Sequence, residues 1–582
     1  MSRFSRKRII LASFIIPLIA AGGWLYARRT QPIVIASYVP ESALGYLEIN
    51  NWPQLLDRFS STKAWRELAP AYGVSDELDY IAKAGQWDLI ARITGGGEAA
   101  MLARSQFALA VTGIEVRGEE VKPRMALIAE THSNPKSLRE AAEKRLPELA
   151  QNAFGRFVKE TGEYSGVQIT TYRAVDSEKQ LLAAQIESEL ILANHPDPLR
   201  SCIETRLGRA PSMAGNFYLQ NARSMVERAD GANGANGSGC LFGFVTGEGV
   251  TRLLRFWAFL ISGDALSKAA LAGAMGDVFT EFSARAADGI AYGASFEDGV
   301  VVDRYALLFK PEVADALKLA IKPAASAPRA LDVIPVEARD LTLIGVENPM
   351  RTLDKIEAAT SARIGAAQSF LLHQFVIGAR EAFLGLRAGD KADEAIGDEI
   401  ANFNTTTEAE DRVWLVAPRD RAFVTTLVER VFTAQGAVLA REKYKGVEIV
   451  NSSDERRGAA AFVGDFLALG KREPLLNLID SQQGGRSVKN SPQFVTASKA
   501  SPPAAIRSFA SVRDESGEMM AAIARWSGGL PAAQSGVAAL DRLPFAASAT
   551  SINERGVYVE SRSPFGNFPF FISIFAGATN GK

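Results

Sequence analysis

Glu163-Tyr164-Ser165-Gly166-Val167-Gln168-Ile169 decides how this chain is read, because Lys443-Tyr444-Lys445-Gly446-Val447-Glu448-Ile449 repeats it about 280 residues later. One Tyr-x-Gly-Val-x-Ile match carries no weight, since turns and strands produce it often. Collinearity carries the argument. Pro40, Ala43 and Leu47 to Asp57 echo Pro335, Ala338 and Leu343 to Asp354. Met125 to Ala129 echoes Val413 to Ala417. Leu192 and Pro198-Leu199 echo Leu469 and Pro474-Leu475, and Phe296 to Val300 echoes Asn553 to Val557. The order is kept while the offset shrinks, so the chain reads as two related halves, the second with shorter loops. In each copy Gly166 or Gly446 supplies a positive φ at a hairpin tip. Tyr164 and Tyr444 pack across to a neighbouring strand, a role in the fold rather than in stacking on a ligand.

Outward from the motif, the pattern alternates between strand and helix signals. Ala43 to Asn50 reads as a strand with Leu44, Tyr46 and Glu48 on one face and Leu47 and Ile49 on the other. Phe107–Val111 and Met125–Ala129 form a hairpin, and Phe157–Tyr172 with Leu181–Asn194 a meander. Ser133-Asn134-Pro135 and Asp197-Pro198 start helices. Val250–Ile261 is an amphipathic helix, and Ile290–Leu308 a hairpin around Glu297-Asp298-Gly299. The Gly/Asn/Ala tract Ala229–Gly239 is a surface loop. Pro/Ala-rich Lys322–Arg329 separates a first domain, 38–321, from a second, 330–578. The second half departs most in a long helical stretch from Met350 to Leu386. The strict βαβ rhythm of a parallel sheet is missing, so the fold class is α+β: antiparallel sheets, each covered by helices on one face.

Arg3, Arg6, Lys7 and Arg8 precede an uncharged run from Ile9 to Ala27, long enough to cross a bilayer as a helix. Trp24 and Tyr26 suit the far interface, and the basic flank keeps residues 1–8 cytoplasmic. A cleaved signal peptide with a site at Ala20-Ala21-Gly22 is the alternative; the apolar run continues past it, which favours an uncleaved anchor. The 582-residue chain has a net charge of −1, which provides no field for nucleic acid.

The sequence holds two cysteines, Cys202 and Cys240, which could pair in an oxidising compartment or stay as buried thiols. The aromatic tail Phe565–Ala578 is a last packed element or an interfacial foot on a bilayer. Three histidines, His132, His195 and His373, show no metal-ligand spacing. The first two read as loop residues before helix starts, and His373 as a packed core histidine. No nucleophile elbow or phosphate loop occurs. Glu297-Asp298 and Glu554 read as solvated hairpin-tip acids. Asp390, Asp393, Glu394, Asp398 and Glu399 form a solvated acidic face, with weak cation binding as the alternative. No catalytic residue, cofactor or metal is assigned.

The pattern Pro40-x-x-Ala43-x-x-Tyr46-Leu47-x-Ile49-Asn50 follows a single N-terminal apolar helix and precedes the Tyr-x-Gly-Val-x-Ile block. Together these resemble a family of uncharacterised bacterial envelope proteins, classed as a domain of unknown function. The second half departs from it, with Leu341-Thr342-Leu343 where the family carries its tyrosine. The resemblance implies a single-pass protein of the bacterial inner membrane with its bulk in the periplasm. The expected function is non-enzymatic: a binding or scaffolding module whose partners are the membrane, through residues 9–27, and an envelope protein or a hydrophobic ligand. A carrier of such a ligand requires an apolar enclosed cavity, and a scaffold an exposed apolar patch. The competing class is a hydrolase of envelope polymers using dispersed carboxylates, which requires two buried acids facing each other in a cleft.

Overall fold

The computed structural model describes residues 33–74, 101, 105–117, 120–227, 241–261, 266–325, 327–387, 389–527 and 534–569. The expected anchor 9–27, Cys240, the Ala229–Gly239 tract and the tail beyond residue 569 lie outside them. Among the described residues no helix is long and apolar enough to cross a membrane.

Among the described residues the fold is mixed α and β around one large antiparallel sheet of twenty strands. Ten come from the first half: β1 (Gly45–Ile49), β2 (Gln106–Arg117), β3 (Glu120–Glu130), β4 (Phe157–Tyr164), β5 (Val167–Ala174), β6 (Gln180–Ile186), β7 (Glu189–Ala193), β8 (Leu241–Thr246), β9 (Ala287–Glu297) and β10 (Val300–Phe309). The second half contributes β11 (Asp340–Gly345), β12 (Ile396–Asn404), β13 (Val413–Pro418), β14 (Leu439–Tyr444), β15 (Val447–Ser452), β16 (Ala459–Val463), β17 (Phe466–Gly470), β18 (Ile506–Ala510), β19 (Ala546–Asn553) and β20 (Gly556–Ser563).

Hydrogen-bonded pairing runs β4-β5-β6-β7-β3-β2-β1-β8-β9-β10 in the first half. It runs β14-β15-β16-β17-β13-β12-β11-β18-β19-β20 in the second. The two orders are the same, strand for strand. β10 pairs with β20 across the middle, which makes the sheet continuous. The motif that opened the reading therefore lies at the two outer ends. Ser165-Gly166 and Lys445-Gly446 are two-residue hairpin loops with positive φ at all four residues, +54° and +85° in one and +48° and +84° in the other.

Register can be carried outward from those two hairpins, one strand at a time. It corrects the spacing read from sequence by one residue in three blocks. Tyr46 faces Phe244 as Leu341 faces Phe509, so Leu341 and Leu343 match Tyr46 and Glu48. Leu127 matches Trp414. The turn Asp298-Gly299 matches Glu554-Arg555. The reason is the period of two: a one-residue slip exchanges the buried and outer faces, and sequence similarity in short strands cannot resolve it. Burial agrees with the register. Tyr46 and Leu341 are both buried, and Leu127 and Trp414 are both exposed, at 38% and 44%.

Helices cover both faces of the sheet, not one as the sequence suggested. The helices Pro196–Arg206 and Phe217–Val226 close the first core over Ala126, Ile128 and Ile191, and Arg472–Gln483 with Pro492–Ala500 close the second over Leu415 and Ala468. On the opposite face, Pro135–Phe154 covers Tyr172 and Ala183, and Arg421–Thr433 covers Ala460 and Leu467. The cause is that β7 and β17 are apolar on both sides, as in Ile191-Leu192 and Leu467-Ala468-Leu469, and a two-sided strand needs two covers. Local chemistry sets the helix starts. Asn51 and Asn348 each accept from the backbone three residues on, at 2.9 and 3.0 Å, before a first-turn proline.

The halves are not independent. Phe59, Trp65 and Tyr72 pack with Met519, Met520 and Leu540, and Phe565 closes this cluster beside Phe59. Val278 packs with Ile364 and Leu372. The long helical stretch of the second half is two helices, Pro349–Ser361 and Ala366–Leu384.

Candidate functional site

A concave feature lies in the second half, between the helix Arg421–Thr433 and the sheet face made by β12, β13 and β17. It is a cavity of about 910 Å³. Val424, Leu427 and Val428 line it from the helix, and Ile396, Val416 and Leu467 from the sheet. Trp414 stands at one end, with Arg456, Arg457 and Lys471. The pairing Ile396↔Pro418 places Ile396 four residues along β13 from Trp414, about 13 Å at the strand rise. The cavity thus has an apolar depth and a polar end.

Charges at the polar end are already balanced. Arg456 and Arg457 pair with Asp454 at 3.0 and 3.2 Å, and Lys471 with Glu410 and Asp411 at 3.0 and 3.1 Å. Arg457 also donates to the carbonyl of Val431 near the helix end. An anionic ligand would have to compete with these acids, so the arrangement suits an uncharged apolar molecule. In the first half, Tyr172 packs under Pro135–Phe154, with its ring against Phe157 at 5.5 Å between centroids. The register counterpart of Tyr172 is Ser452, whose hydroxyl donates to the carbonyl of Phe432 at 2.8 Å.

The first half carries buried charge where the second carries carbon. Glu48, 3% exposed, accepts from Asn50 at 2.9 Å and from Arg223 and Tyr46; its counterpart is Leu343. Glu189, fully buried, accepts from Arg206 at 2.9 Å and stands opposite Glu130, also buried. Burial pushes the Glu189 carboxyl up to about 8, against the pull of Arg206. The counterparts of Glu130 and Glu189 are Ala417 and Phe466. These two acids face each other, and neither lines the cavity of the second half. One side chain pins the entering segment of each half. Gln106 accepts from Ile33 N at 2.9 Å, and at the matching position Glu399 accepts from Arg329 N and Ala330 N at 3.0 and 2.8 Å.

At the seam, Arg304 and Arg562 form a closed ring with Glu297 and Glu560. Arg304 reaches Glu560 at 3.3 Å and also Glu297; Arg562 reaches Glu560 at 3.0 Å and Glu297 at 2.9 Å. Glu297 is therefore not a solvated tip acid. Burial alone would raise its carboxyl, but the two guanidiniums hold it below the usual range. Carried to the seam, the register makes Arg304 and Glu560 each other's counterparts, paired face to face.

The residues singled out from sequence are not gathered into one site. Tyr164 packs against the first core with Arg200 over its ring, and Tyr444 donates to Asp480 at 3.0 Å. A Cβ on Gly166 or Gly446 would meet nothing, so only φ selects glycine there. Cys202 is a free, fully buried thiol pushed up to about 12 by burial. His195 caps the helix Pro196–Arg206 through a bond from Asp197 N at 3.2 Å. His132 sits in a loop at φ +49°, 2.9 Å from Gln106. His373 departs from expectation. It lies on the outer side of Ala366–Leu384, 2.7 Å from Glu357, because its neighbour Leu372 takes the inward position. The acidic face disperses: Asp390 pairs with Arg430, Asp393 with Arg351, and Glu399 with backbone. Among the described residues no three acids, histidines or cysteines converge as a metal site.

No curated protein and no solved structure matches the chain. A family described as "Protein of unknown function (DUF3352)" matches residues 391–565, which run from just before β12 to just past β20 and include the cavity wall from Ile396 onward.

Proposed function

We propose that the chain is a non-enzymatic binding protein of the bacterial envelope, anchored in the inner membrane by residues 9–27 and built from two copies of one unit. The second copy carries an uncharged, hydrophobic small molecule. The observation that carries this reading is the cavity of about 910 Å³, half open to solvent, apolar in its depth and charge-balanced at its end. Its size and lining fit the ordinary range of small-molecule sites. The identical pairing order of the halves supports duplication.

Native mass spectrometry on the exported fragment from Thr30 onward, purified without detergent, tests the reading. The expected result is a stoichiometric adduct released on denaturation, and its loss in Val428→Trp, which fills the cavity. A bare mass for both proteins would overturn the carrier function. A scaffolding role would then gain from the outer face of Ala366–Leu384, where Phe370, Leu371, Phe375 and Ile377 are exposed.

A further inference from the structure

A second cavity, polar and of about 280 Å³, lies at the seam on the sheet face opposite the ion-pair ring. Asp303 lines it from β10, Ser563 from β20, Glu515 and Ser516 from the first turn of the helix Arg513–Ser527, and Phe565 and Asn567 from the chain after β20. It is built from both halves and is separate from the apolar cavity.

Three observations make it more than a packing gap. Asp303 is 2% exposed, and its carboxylate is held by the Tyr292 hydroxyl at 2.7 Å and by the backbone of Asn567. Among the described residues no cation pairs with it, and burial pushes its carboxyl up to about 6. The Ser516 hydroxyl, 1% exposed, has no hydrogen-bond partner. The register counterpart of Asp303 is Val559, so the sheet is built equally well with a hydrocarbon there. A buried carboxylate without a counter-ion and an unsatisfied hydroxyl each cost stability unless a ligand completes them.

We propose that this cavity binds a small protonated amine, its ammonium donating to Asp303 and Ser516 with the Phe565 ring beside its carbon. The volume equals that of roughly nine liquid waters, room for a compact molecule. A hard divalent cation fits less well, because it demands six or more oxygens and usually several carboxylates, and two acids line this space.

The test is thermal denaturation and titration calorimetry of the full chain at pH 7.5 with ethanolamine, putrescine and methylamine, against ethylene glycol and calcium chloride. An amine should raise Tm by about 2 °C at saturating concentration, while ethylene glycol does nothing. Affinity should fall at least tenfold in Asp303→Asn and several-fold in Ser516→Ala, and should weaken as pH drops through 6. If Asp303→Asn fails to fold, Ser516→Ala and the pH profile decide. No response to any of the three amines, an unchanged response in Ser516→Ala, or a response to calcium instead would overturn the assignment.

Discussion

Replacing Arg304 by methionine should unlock the seam. Arg304 is 2% exposed and donates to Ser295 at 2.8 Å, to Glu560 at 3.3 Å and to Glu297. Its removal leaves two buried or half-buried carboxylates with Arg562 as their one remaining guanidinium. Breaking a buried ion pair from one side costs about 3–5 kcal/mol, and the retained Arg562 places this case near the lower end, about 3 kcal/mol. Glu560→Leu should cost a similar amount. The double variant Arg304→Met/Glu560→Leu should recover most of the loss, because apolar replacement of a whole buried pair is often neutral. Urea denaturation followed by tryptophan fluorescence gives the three values, and the double-mutant cycle isolates the coupling. The singles should also separate the unfolding of the halves into two transitions. Single variants within about 1 kcal/mol of wild type, or a double variant as unstable as the sum of the singles, would refute the view that the ring holds the halves together.

Gly166→Ala and Gly446→Ala should each cost about 1 kcal/mol, through backbone strain alone, measured by denaturant midpoint. Equal stability would mean the tips relax out of positive φ. Glu189 holds a proton in the native state up to about pH 8, whereas the unfolded chain releases it near 4.5. The stability that Glu189 contributes is therefore fully present below pH 4.5 and falls as pH rises toward 8, by up to about 1.4 kcal/mol per pH unit. Glu189→Gln should flatten that slope in a pH series of melts, and parallel curves would contradict it. Cys202 should resist iodoacetamide at pH 8 in the native state and react on unfolding, read by mass shift; fast native labelling would show that the helix Pro196–Arg206 opens readily.

Much of the fold was legible because it depends on near neighbours in sequence. The Gly166 and Gly446 hairpins, the Asn134-Pro135 helix start and the β9–β10 turn are each set by a few adjacent residues. Faces were legible along β1 and the residue before it, where Leu44, Tyr46 and Glu48 are buried together. What escaped is set by distant partners. Glu48 looked like one alternating position, but its burial depends on Arg223, 175 residues away. Glu297 looked like a tip acid until Arg562 joined it from 265 residues on. The apolar cavity was illegible because its walls, Val428 on a helix and Val416 and Leu467 on two strands, meet only in the fold. His373 misled for the same reason: apolar neighbours in sequence do not say which of them faces inward.

The pairing of β10 with β20 has a temporal side. The partners Arg304 and Glu560 are 256 residues apart, so at about 5–20 residues per second β10 waits roughly ten to fifty seconds for its neighbour. During that interval it is an open sheet edge carrying Val301, Val302 and Leu308, the kind of surface that recruits other chains. Asp303 and Arg304 sit in its middle, one on each face, and a charge on either face discourages any stray strand that cannot match both. The residues that later lock the seam thus guard the nascent chain against wrong partners until β20 arrives.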